Sequence, residues 1–241
     1  MSVSALTAST QDYLKAVFAL AEWSSAPVTP TSMAERMGLK LSSVSDAVRK
    51  LTAQGLLSHT PYGAVELTDE GRKHAISMVR RHRLIETFLV RALGYGWEQV
   101  HDEAEDLEHA VSDFMIERID EFLGHPARDP HGDPIPSPTG EVAAPAVRQL
   151  STVELPAEVR VERIDDDDPS LLQFLESHGV MPDARLAVSA GAPFSDAIEI
   201  AVIGSDDAAG SDDVAGSDAA AGSREKFTLG VSAAAALYVA A

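Results

Sequence analysis

Residues 31–67 read TSMAERMGLKLSSVSDAVRKLTAQGLLSHTPYGAVEL. Thr31 to Met37 has the length of a short helix, and Gly38 closes it. Ser42 is a hydroxyl residue of the kind that caps a helix. After it Val44, Val48 and Leu51 recur at helical spacing until Gly55 stops the run. Leu56 to His59 and Ala64 to Leu67 are short β-type segments joined through Pro61-Tyr62-Gly63. Upstream, a pattern opening at Ser9-Thr10-Gln11-Asp12 repeats Leu14, Val17, Phe18 and Ala21 at three- and four-residue steps, and Pro27 to Pro30 ends it. Helix, helix, turn, helix, hairpin is the order of a winged helix-turn-helix, whose second helix of the turn enters a DNA major groove. On that helix Ser42, Ser43 and Asp46 occupy the exposed first turns, suited to base edges or phosphates. Arg49 and Lys50 suit phosphates, and Tyr62 at the wing tip suits the DNA backbone.

A formal charge of −19 argues against a nucleic-acid partner only until its distribution is read. Residues 1–74 hold 7 Lys+Arg and 7 Asp+Glu, residues 75–140 hold 6 and 13, and the remainder holds 6 and 18. The acid lies away from the segment that would meet DNA. The 241-residue length suits two or three small domains, and a hydrophobic content of 45% is ordinary. No apolar run is long enough to span a membrane, and none has the layout of a signal peptide, so the expected location is cytoplasmic. With no cysteine there is neither a disulfide framework nor a thiolate metal site.

Thr68 caps a long helix through Arg72, Met78, His82 and Phe88 to about Leu93, broken by Gly94-Tyr95-Gly96. Then comes His101-Asp102-Glu103-Ala104-Glu105-Asp106-Leu107-Glu108-His109. As a helix, this run sets residues 101, 105, 108 and 109 within roughly a quarter turn of one another. Two imidazoles and two carboxylates on one face repel when charged and are costly to bury, which a divalent cation relieves. Ser112 opens a further helix to Gly124, and the Pro-, Gly- and Asp-rich stretch from His125 to Pro145 reads as a linker on the surface. Val111, Phe114, Met115, Ile119 and Phe122 form apolar faces suited to a dimer or to an intrachain core. Beyond them Arg160–Ile164, Arg185–Val188, Ala197–Ile203, Lys226–Leu229 and Ala236–Val239 are β-type runs, with a helix over Leu171–Ser177, in the manner of a small SH3-like barrel. The repeated Gly-Ser-Asp from Gly204 to Ser223 reads as a flexible extension between two strands and is assigned no function. The organisation is mainly α with β. A DNA-binding domain spans residues 1–74, a helical metal-binding and dimerisation domain 75–145, and an SH3-like domain 146–241 with its insertion at 204–223.

Gln11-Asp12-Tyr13-Leu14, Arg80-Arg81-His82-Arg83-Leu84-Ile85-Glu86, His101-Asp102-Glu103-Ala104, Glu108-His109 and Asp129-Pro130-His131-Gly132-Asp133-Pro134-Ile135-Pro136 stand in one order along the chain. In that order the chain resembles the diphtheria-toxin-repressor family of metal-dependent transcriptional repressors, over residues 9 to about 200. The resemblance implies a first metal held by Asp12, Glu105, Glu108 and His109, and a second position at His82, Glu86 and His101. One carboxylate among Asp165, Asp166, Asp167 and Asp168 would complete the second. The C-terminal barrel would be FeoA-like.

In the iron-responsive branch the positions of Asp12 and Glu105 look like Met and Cys, whereas here both are carboxylates, which suit hard Mn2+. The expected function is a manganese-dependent repressor that binds operator DNA as a metal-loaded homodimer and controls metal uptake genes. Its heads would meet successive major grooves about 34 Å apart. The alternative is an Fe2+-dependent repressor of the same family. Short manganese regulators carry another acidic ligand where this chain has Lys15, which argues against their close two-metal arrangement. A metalloenzyme is a distant alternative: His-Glu-x-x-His is absent, and Asp106-x-x-His109 only approaches one half of a di-iron motif.

Overall fold

The computed structural model describes residues 6–60, 63–143, 145–205 and 226–240. Tyr62 and the Gly-Ser-Asp repeat from residue 206 onward lie outside the described residues. The chain forms two compact units, the first made of residues up to Phe88 with Glu103–Ala127 and Ile135–Val142.

The first unit opens with helix α1, Ala8–Glu22, capped by the Thr7 hydroxyl, which accepts from Thr10 N at 3.3 Å. Helix α2, Pro30–Arg36, starts on Pro30, whose missing N–H costs nothing at a first helical position. Thr29 and Ser32 form a reciprocal cap there, so the proline begins α2 instead of ending α1. Helix α3, Leu41–Ala53, starts one residue before Ser42, with Lys40 in the cap position and no side-chain cap bond. Ser42 is therefore not the cap expected of it, and its hydroxyl stands exposed on the first turn. Strands β1, Leu57–His59, and β2, Val65–Leu67, pair antiparallel with Leu57 opposite Leu67. Leu14, Met33, Val44, Val48, Leu51, Leu57 and Val65, from α1, α2, α3, β1 and β2, close one core.

Helix α4, Asp69–Leu93, begins where the Thr68 hydroxyl accepts from Gly71 N at 3.1 Å. Gly71 has to be glycine: a Cβ there would stand 1.9 Å from the Leu56 carbonyl oxygen, so the first turn of α4 lies directly on the wing backbone. Helix α5, Val100–Leu107, is shorter than the run it was read from. Glu108 and His109 occupy the turn after it, although Glu108 N still bonds Ala104 O at 2.9 Å. Helix α6, Asp113–Leu123, is capped by Ser112 and ended by Gly124 at φ +74°.

The second unit comprises Leu89–Asp102, Arg128–Pro134 and the chain from Ala143. Its strands are β3 Arg148–Gln149, β4 Ala157–Ile164, β5 Ala184–Ala190, β6 Ala197–Ser205, β7 Lys226–Gly230 and β8 Leu237–Ala240. They form one antiparallel sheet in the order β3-β8-β4-β5-β6-β7, the SH3-like domain. Helix α7, Pro169–Ser177, and the short α8, Val231–Ala234, complete it around Val161, Ile164, Leu172, Leu175, Leu186 and Leu237. Two-residue β3 and four-residue α8 are too brief for periodicity to register, which is why five strands were legible where the described residues form six.

The stretch read as a surface linker is corrected. Asp129, His131, Asp133 and Ile135 are all buried. Asp129 Oδ1 accepts from the backbone N–H of His131 and of Asp133, both at 2.9 Å, which folds the polar residues into a self-satisfied turn. Gly132 at φ +94° lets this turn rest on β4, since a Cβ would meet Glu162 O at 2.1 Å. Asp133 then pairs with buried Arg163 at 2.9 Å.

Candidate metal centre

Within the first unit, α1 presents Gln11, Asp12 and Lys15 on successive positions of one helical face. Helix α4 presents His82 and Glu86 one turn apart, and α5 with its following turn presents Glu105, Glu108 and His109. Asp12, Glu108 and His109 each bring one ligand atom to within 4.8 Å of the others. His109 Nε2 lies 2.8 Å from Asp12 Oδ1 and 3.7 Å from Glu108 Oε1. The other nitrogen, Nδ1, donates to Gln11 Oε1 at 2.7 Å, and Gln11 Nε2 donates to Leu6 O at 3.1 Å. Gln11 thus fixes the tautomer and the plane of the ring, so that Nε2 faces the carboxylates. Glutamine at that position gave no signal in the sequence beyond lying next to Asp12.

Glu108 is the shared member of the cluster and is fully buried as a side chain. Its Oε2 accepts from His82 Nδ1 at 2.7 Å, and its Oε1 accepts from Lys15 Nζ at 2.7 Å. Lys15 also donates to Glu105. His82 Nε2 lies 3.1 Å from Glu86 Oε1. Burial pushes Glu108 up, but the hydrogen bond and charge of His82, aided by Lys15, hold its carboxyl below the usual range. Burial pushes His82 down, and Glu86 with the hydrogen bonds to Glu108 and Glu86 outweighs it, raising the imidazole to about 9. Burial also raises Asp12 against the opposing pull of His109 and Lys15. Glu108, His82 and Lys15 thus hold one another in their charged forms, and buried, perturbed acids and bases gathered in one place mark a candidate functional site. The donors are carboxylate oxygen and imidazole nitrogen without sulfur, and they fit a hard or borderline divalent ion.

In the second unit His101 Nδ1 lies 2.7 Å from Asp166 Oδ2. The aspartate run resolves into distinct parts. Asp168 caps α7, accepting from Ser170 N at 2.9 Å, and Asp165 Oδ1 accepts from Asp167 N at 3.2 Å. His131, buried and stacked on Trp97, donates Nε2–H to Trp97 O at 2.8 Å, and its Nδ1 is 4.0 Å from Asp166.

On α3, Ser42, Ser43, Asp46, Arg49 and Lys50 are all exposed on the face opposite the buried Val44 and Val48. Arg49 Nη2 donates to Asp46 Oδ1 at 2.7 Å in an exposed pair that water or phosphate displaces at little cost.

A winged helix-turn-helix followed by helices that gather carboxylates and imidazoles defines a metal-responsive DNA-binding regulator. The family model for the iron dependent repressor N-terminal DNA binding domain matches residues 5–65. That for its metal binding and dimerisation domain matches 68–137, and that for the FeoA domain matches 148–215. The iron-dependent repressor IdeR of Mycobacterium leprae is 33% identical over 195 residues, covering 76% of this chain and 84% of that protein. The diphtheria toxin repressor of Corynebacterium glutamicum is 36% identical over 137 residues, 57% of this chain and 59% of that protein. A solved manganese-dependent transcriptional repressor in complex with manganese aligns over 96% of this chain and 99% of that one, at 45% identity and a TM-score of 0.84. The chain belongs to the diphtheria-toxin-repressor family of metal-dependent transcriptional repressors. Among the described residues no helix is long and apolar enough to cross a membrane.

Proposed function

We propose that this repressor answers to Mn2+ and binds operator DNA in the cytoplasm as a homodimer. The observation that carries the reading is the sulfur-free convergence of Asp12, Glu108 and His109 within 4.8 Å, with Glu105 beside them on Lys15. A divalent ion held there would neutralise the carboxylates and link α1 to the turn after α5. Carboxylate and imidazole suit hard Mn2+, and the solved relative at 45% identity is named as manganese-dependent. Asp12 is rigidly tied to α1, the first helix of the DNA-binding domain, so what it coordinates bears on the pose of α3. Ser42, Ser43 and Asp46 face solvent for base edges, with Arg49 and Lys50 for phosphate. Phe114, Met115 and Phe122 on α6 are 68%, 48% and 69% exposed, an apolar face for a second copy, while Ile119 turns into the core. The place of His101 beside His82 and Glu86 rests on the family resemblance.

Iron dependence is the second reading, favoured by the curated relatives named as iron-dependent repressors and by the weaker intrinsic affinity of Mn2+ in the divalent series. Anaerobic titration of metal-free protein with Mn2+ and with Fe2+, read by operator-DNA binding, separates the two. Glu108→Ala and His109→Ala are expected to abolish metal-dependent DNA binding while the dimer persists. DNA binding that neither ion alters would overturn both readings.

A further inference from the structure

One face of α4 and the turn at residues 137–140 enclose a concavity of about 520 Å³, apart from both the metal centre and the exposed face of α3. The turn is a preformed rim. Gly140 N donates to Ser137 O at 2.9 Å, Glu141 N donates to the Ser137 hydroxyl at 3.0 Å, and that hydroxyl lies 2.9 Å from Thr139 Oγ1. The rim is also tied to the helix: Arg80 Nη1 donates to Pro136 O at 2.7 Å, and Nη2 meets Asp120 at 2.8 Å. Arg80 is therefore a wall at one end, its charge already matched by an acid.

Arg72 and Lys73 line the other end, about 10–12 Å away along α4. Lys73 reaches Glu70 only at 3.4 Å with its side chain 75% exposed, and the Arg72 guanidinium lies 5.4 Å over the Phe18 ring. Between the ends Ile76 and Pro138 supply apolar surface, and Ser77 and Thr139 supply hydroxyls. In a chain of net charge −19 this is a local reversal of sign. Guanidinium, ammonium and hydroxyl are the donors that phosphate oxygens take. The volume falls within the roughly 300–1,000 Å³ of small-molecule sites, far more than an inorganic anion fills.

We propose that this concavity binds a small organic phosphate of nucleotide size. Arg72 and Lys73 hold the phosphate, Ser77 and Thr139 bond its polar edge, and Ile76 with Pro138 packs against the apolar body. Asp69, the acid in the lining, accepts from a sugar hydroxyl. Duplex DNA is the competing anion, because Gly71 lies against the wing backbone. Shape argues against it: these donors line a concave site roofed by a fixed turn, and Arg72 is folded onto Phe18 instead of reaching outward.

The test titrates the full chain, free of DNA, with AMP, GMP and CMP by calorimetry, and with inorganic phosphate and adenosine as controls. At least one nucleotide is expected to saturate with a Kd below about 1 mM, and both controls to bind far more weakly. Lys73→Glu reverses an exposed charge and is expected to weaken the nucleotide about ten-fold or more. Ser77→Trp fills the concavity from an exposed helical position and is expected to abolish binding, both variants keeping the wild-type melt by circular dichroism. If Ser77→Trp fails to fold, Lys73→Glu decides. Three nucleotides that fail to saturate, or wild-type affinity in both variants, would overturn the proposal. So would Lys73→Glu weakening duplex DNA while leaving nucleotide affinity unchanged, which would assign this face to DNA.

Discussion

Raising the pH of the metal-free chain from 6.5 to 9 takes about half the charge off a buried imidazole and should destabilise the first unit. His82 sits between Glu108 Oε2 at 2.7 Å and Glu86 Oε1 at 3.1 Å. Burial alone would keep the ring neutral, but Glu86 and the two carboxylate hydrogen bonds overcome both burial and the repulsion of Lys15, lifting it from 6.5 to about 9. A group whose folded pKa lies above its unfolded value binds its proton more tightly in the folded chain. Its contribution is therefore complete below pH 6.5 and disappears as the pH climbs through 9. At 1.36 kcal/mol per pH unit the interval corresponds to about 3 kcal/mol, most of which is lost between these two pH values. Glu108 is held below its ordinary range and Lys15 above its own, so neither partner changes charge in this window. Urea unfolding followed by circular dichroism at both pH values, on wild type and on His82→Gln, isolates the effect. Groups elsewhere titrate alike in both proteins and cancel in the difference. Wild type should lose about 2–3 kcal/mol more than the variant on going to pH 9. Equal pH dependence, to within about 0.5 kcal/mol, would refute the assignment of a charged His82 to the metal-free state.

Replacing Asp12 by Met together with Glu105 by Cys should turn the response from Mn2+ towards Fe2+, because soft sulfur would then stand where hard oxygen stood; an unchanged preference in operator binding counts against the ligand assignment. Glu22→Ala removes the partner of Arg83, whose Nη1 and Nη2 donate to the two Glu22 oxygens at 3.1 and 2.6 Å. With side chains only 5% and 10% exposed, breaking this pair should cost about 3–5 kcal/mol, seen as a large fall in the melting temperature. A melt within a degree of wild type would mean that water replaces Glu22 freely.

The winged unit was legible because its signals are local. Val44, Val48 and Leu51 mark a buried face by spacing alone, Gly38 and Gly55 mark stops, and both glycines take positive φ. The same holds for the Ser112 and Gly124 ends of α6. Errors of one or two residues arose where two residues competed for one local role, as Lys40 and Ser42 did for the start of α3. Asp12, Glu108 and His109 could be picked out by residue type and by resemblance, and they do converge.

What this amino-acid order determined by itself is the succession of helices and strands and the stock of oxygen and nitrogen donors without sulfur, because caps, turns and periodicity act over a few neighbouring residues. Tertiary structure alone decided that Lys15 meets Glu105 and Glu108, some ninety positions away, that Gln11 orients His109, and that Asp166 among four aspartates is the one beside His101. It also buried the Asp129–Asp133 turn that composition assigned to the surface. Which charge faces which is set by how helices pack, and packing depends on side chains far apart in the chain, so no local pattern carries it.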